Sequence, residues 1–156
     1  MRGILTVIVL SIVFFSCKKQ EEFDVVPNIR FVDFLNPHKS AFTGSDTATM
    51  VLSFEDGDGD LFVDNYSEGP NLVFTTQYYN KNSQSYDSEE FSNATTVKQP
   101  GDGSYKGRSI RGEIRVPMTS FRSDNSRKIL RFEGFMVDLA GNKSNVFTSP
   151  TYTLTF

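Results

Sequence analysis

Three carboxylates stand on alternate residues in Asp56-Gly57-Asp58-Gly59-Asp60, and Glu55 adds a fourth acid just ahead of them. Carboxylates packed this densely repel one another, and a hard divalent cation bound through oxygen is the usual relief. The glycines allow the backbone to curl so that side chains and carbonyls converge on one point. Calcium suits such a loop better than magnesium, which demands regular octahedral geometry and gives up its waters reluctantly. The pattern is not that of an EF-hand: counting from Asp56, Leu61 stands where that loop needs glycine and Ser67 where it needs glutamate. Asp-Gly pairs are also good turn formers, so a simple turn is the competing reading. A second acidic turn, Val137-Asp138-Leu139-Ala140-Gly141-Asn142, lies far downstream. Asp56, Asp58, Asp60 and Asp138 form the candidate metal set, provided the fold brings the two stretches together.

The rest of the chain holds little that could do catalysis. His38, the single histidine, stands beside Pro37 in an expected surface loop, and no histidine elsewhere is present to serve a Ser or Thr nucleophile as base, which argues against a hydrolytic triad. The acids crowd one turn rather than the two walls of a cleft, which argues against a glycosidase. The expectation is a protein that is not an enzyme. Tyr78 and Tyr79 lead into a polar stretch, Asn80 to Glu90, and would offer a stacking platform for a glycan if exposed, although the chain has no tryptophan. Arg108, Arg111, Arg115, Arg122, Arg127, Lys128 and Arg131 read as solvated strand faces. A net charge of -3 gives a nucleic-acid partner no electrostatic basis.

Strands must position the acidic turns, because apolar residues recur at every second place and no amphipathic helix of useful length competes. The clearest runs from Thr47 to Phe54, with Ala48, Met50, Leu52 and Phe54 on one face. Similar patterns cover 29–35, 72–79, 91–97, 105–116, 128–137 and 146–156. Seven short strands with turn signals between them predict an all-β, antiparallel, immunoglobulin-like sandwich. In that order the loop after the second strand and the loop after the sixth emerge at the same end, so Asp138 is expected near the glycine-spaced aspartates.

The first residues read differently. Arg2 precedes an apolar stretch from Ile4 to Phe15, then Ser16 stands before Cys17, the only cysteine. That is the order of an export signal, and Lys18 to Glu22 end the apolar run before it reaches the ~20 residues of a membrane span. Phe14-Phe15-Ser16-Cys17 resembles the lipobox of bacterial lipoproteins, which implies cleavage after residue 16 and lipidation of Cys17. The acidic tail after the cysteine is similar to sorting signals of some Gram-negative lipoproteins, implying the outer membrane. Residues 1–16 are then a signal peptide, 17–26 a lipidated cysteine with its tether, and 27–156 one domain. A lipidated Cys17 leaves no thiol for a disulfide, so stability must come from the core and any bound ion.

Ser53 to Leu61, Gly69-Pro70-Asn71-Leu72 and Asp138 to Asn145 together resemble small bacterial lipoproteins with a single Ig-like or cadherin-like domain. The resemblance covers roughly residues 28 to 156. It implies a calcium element of the form Asp-x-Asp, falling on Asp56 and Asp58 or on Asp58 and Asp60. It further implies a structural or protein-interaction role in the cell envelope, with membrane attachment through lipid. An accessory glycan-binding lipoprotein of an uptake system is the alternative, resting on Tyr78 and Tyr79.

Overall fold

The computed structural model describes residues 21–156 apart from 90–92, 102–104 and 123–125. The expected signal peptide and Cys17 lie outside the described residues. Among the described residues nine strands form two antiparallel sheets: β1 (Asn28–Lys39), β2 (Asp46–Asp56), β3 (Leu72–Asn80), β4 (Ser85–Ser88), β5 (Asn93–Thr95), β6 (Ile110–Thr119), β7 (Ile129–Met136), β8 (Phe147–Thr148) and β9 (Tyr152–Thr153). One sheet runs β1-β2-β6 and the other β4-β3-β7-β8, with β5 also on β3 and β9 also on β7. The chain changes sheet between β2 and β3, again before β6, and again before β7, as an Ig-like sandwich requires.

Strand β2 shows why these residues fold this way. Ala48, Met50, Leu52 and Phe54 are buried at every second position, and they meet Leu72, Phe74, Leu130, Phe132 and Met136 of the opposite sheet in one core. Phe34 of β1 closes this core, its ring 5.0 Å from that of Phe132 and 5.4 Å from Phe121. The core-facing register of β2 continues past the apolar residues at both ends, to Asp46 and to Asp56. Two carboxylates thus occupy places where the alternation calls for hydrocarbon.

Four expectations need correction. Asn80 to Glu90 is not simply a polar loop: β4 pairs with β3, Tyr79 opposite Tyr86. The sequence carries no sign of it because an edge strand with one half-buried side chain shows no apolar alternation. The last strand is split, since Pro150 cannot donate to a ladder; Ser149 Oγ instead accepts from the Phe132 amide at 2.8 Å. Arg122 is not solvated but buried, donating to Asp46 Oδ2 at 2.8 Å and Oδ1 at 2.6 Å. His38 belongs to β1 rather than to a loop, and there it is exposed and bonded to the Asn36 carbonyl and Thr47.

Candidate metal centre

Asp56 is the last residue of β2 and is fully buried. Its Oδ2 accepts a hydrogen bond from the Leu61 amide at 3.3 Å, while its Oδ1 has no partner. The chain then turns through Gly57-Asp58-Gly59-Asp60 and returns to the core, where Leu61, Phe62 and Val63 are buried and Phe62 packs edge-on against Phe54 at 5.1 Å. Gly59 requires its residue type twice over. Its φ is +71°, and a Cβ there would overlap the Tyr105 carbonyl oxygen and lie 2.7 Å from that of Arg108. The amide of Gly107 donates to the Asp58 carbonyl, so the loop is pressed against the 105–108 turn.

The second acidic turn arrives from β7. Asp138 is buried, and its two carboxylate oxygens accept from the Asn142 amide at 2.7 Å and from Asn142 Nδ2 at 2.9 Å. Gly141, at φ +89°, makes that closure possible. The two turns are joined directly, because the Leu139 amide donates to the Asp60 carbonyl at 3.1 Å. One carboxylate oxygen each from Asp56, Asp60 and Asp138 fall within 4.8 Å of one another. Asp58 and Asp60 each carry a further buried oxygen, Oδ1, with no partner. Asp58 thus stands beside the three-membered cluster, contributing its charge to both Asp56 and Asp60.

Electrostatics match the crowding. Burial foremost, then the Asp58 and Asp60 carboxylates, raise Asp56 from 3.8 to about 6. Burial, then Asp138 and Asp58, raise Asp60 to about 6 as well. None of the ion pairs among the described residues reaches this cluster. Asp46, at the other core-facing end of β2, has its own arginine. Buried, and with no ion-pair partner among the described residues, Asp56 could hold a metal ion together with Asp60 and Asp138.

Asn71 is a positioning residue that the sequence left without a role. Buried just ahead of β3, it donates from Nδ2 to the Leu61 carbonyl at 2.9 Å and accepts the Val97 amide on Oδ1 at 2.7 Å. Its carbonyl accepts from the Val137 amide at 2.8 Å. It therefore ties the residue after Asp60 to the residue before Asp138. A Pro-Asn pair abutting a strand was the available signal, since such an asparagine readily bonds to nearby backbone.

Tyr78 does not offer a face to a sugar: it is 3% exposed, and its hydroxyl donates to the Phe121 carbonyl at 2.6 Å. The guanidinium of Arg127 lies over its ring. Tyr79 is half-buried against Tyr86, with ring centroids 5.5 Å apart. Comparison with protein-family models, with curated proteins and with solved structures finds no match to this chain.

Proposed function

We propose that the protein is a non-enzymatic, lipid-anchored Ig-like domain of the cell envelope, stabilised by one calcium ion and serving a structural or protein-interaction role. The observation that carries the calcium reading is Asp56: a fully buried carboxylate with an unpartnered oxygen, facing Asp60 of its own loop and Asp138 from a distant part of the chain. Leaving such a group unpaired costs several kcal/mol. A divalent cation turns that cost into binding energy, and it acts on the folded state alone because the unfolded chain does not assemble the ligands.

The test is thermal. Calcium at a hundred times its dissociation constant contributes about 2.7 kcal/mol, which for a domain of this size raises Tm by about 5–10 °C over the protein in chelator. Identical melting curves in calcium and chelator would remove the site. The anchor rests on Arg2, the apolar run from Ile4 and the Ser16-Cys17 pair, and is tested separately. Cys17→Ala is expected to move the protein from the membrane to the soluble envelope fraction, and unchanged membrane recovery would count against lipid attachment.

A further inference from the structure

The acidic loop touches one more part of the chain. Strand β1 starts beside it, since Asn28 pairs with Glu55, and the segment leading into β1 crosses the loop itself. Gly57, between the first two aspartates, lies flush against that segment: a Cβ there would overlap the Phe23 carbonyl oxygen and stand 2.7 Å from that of Asp24. A single hydroxyl joins the two, Ser109 Oγ accepting from the Phe23 amide at 3.3 Å and donating to the Gly57 carbonyl at 3.2 Å. At the segment's outer end Glu21 pairs with Arg111 at 2.6 Å, an exposed contact that guides more than it holds. The backbone of Phe23 and Asp24 thus rests on the peptide unit that follows Asp56.

We propose that the cation site is also a clamp: loading it fixes residues 21–24 on the domain, and emptying it releases them. This rests on the calcium reading above. The physical link is short. Without a cation, Asp56, Asp58, Asp60 and Asp138 repel, and the repulsion strains the loop against the single Gly107 amide bond that holds the Asp58 carbonyl. Gly57 is the first residue such strain displaces, and the Ser109 bridge and the seat of Phe23 go with it. With a cation, Asp56 and Asp60 are drawn to Asp138 and the Gly57 carbonyl is held where Ser109 reaches it. The consequence is a tether whose free length depends on calcium. The Phe23 amide is fixed on the domain when the ion is bound, and residues 21–24 come off the domain when it leaves.

Hydrogen exchange of the full chain in detergent micelles, with calcium alone as the probe against chelator, reads this directly. Calcium is expected to slow exchange of the Phe23 amide at least tenfold. Ser109→Ala should abolish that protection while calorimetry still records calcium binding, and Gly57→Ala should do the same by forcing the segment off the loop. If calcium binds the wild type and exchange at Phe23 is unchanged, the clamp is wrong and the metal site stands. Protection that survives in Ser109→Ala and in Gly57→Ala alike would also overturn the clamp. If calorimetry shows no calcium binding, the site fails and the clamp fails with it.

Discussion

In chelator at pH 7.5, Asp56→Asn is expected to stabilise the domain by up to ~3 kcal/mol, and to abolish the gain that the wild type draws from calcium. The carboxyl titrates near 3.8 in the unfolded chain and at about 6 in the fold, a difference equivalent to ~3 kcal/mol. Because the folded value is the higher one, the folded state holds the proton more tightly. The contribution of Asp56 is therefore fully present below pH 3.8, is lost as pH rises through about 6, and stays lost above that. Asp60 acts in the same direction and window, with a smaller share because it is less deeply buried. Cation-free protein should accordingly be more stable at pH 5 than at pH 7.5 with respect to these groups. Calcium, which binds the ionised form, should reverse that order. Urea denaturation at both pH values, with calcium and with chelator, measures all of this. An Asp56→Asn protein as responsive to calcium as the wild type would show that Asp56 is no ligand.

The largest loss is expected at the opposite end of β2. Arg122→Ala should cost ~3–5 kcal/mol, because it strands Asp46 in the core, which is much of the ~5–15 kcal/mol that holds an ordinary domain together. Arg122 meets Asp46 through two parallel hydrogen bonds, donates to the Phe156 carbonyl at 3.2 Å and lies over the Phe156 ring at 5.2 Å. Removing both charges is a different matter. Asp46→Leu combined with Arg122→Met exchanges a buried ion pair for hydrocarbon, and it should recover most of the stability lost in the single variant. Denaturation midpoints of the wild type, the single variant and the double variant decide it. A single variant within 1 kcal/mol of the wild type would mean that water reaches Asp46.

These two acids explain how far the fold could be read in advance. The apolar alternation of β2 from Ala48 to Phe54 is plain, and it gives the strand, its buried face and the all-β class. The same alternation extends to Asp46 and Asp56, but two charged residues look like the start and end of a strand when only hydrophobicity is followed. Arg122 reads as solvated in the sequence because its partner stands 76 positions away, a separation no local pattern spans. Tyr78 was considered for a surface role, although it shares a phase with Leu72, Phe74 and Thr76 and that phase is the inner one. Following periodicity over chemical suggestion would have placed it correctly. Asn71 shows only its Pro-Asn setting ahead of a strand, because the groups it joins, Leu61, Val97 and Val137, come from three separate segments.

The amino-acid order alone determined the period-two burial, the turns that glycine and asparagine permit, and the presence of two acidic turns. These are local consequences of side-chain polarity and backbone freedom, and neighbouring residues suffice to specify them. Only the packed sandwich decided that Asp138 meets Asp56 and Asp60, that Arg122 rather than an ion neutralises Asp46, and that Phe23 rests against Gly57. Each of those pairings joins residues far apart in the chain, so each depends on which strands share a sheet and at which pole their loops emerge.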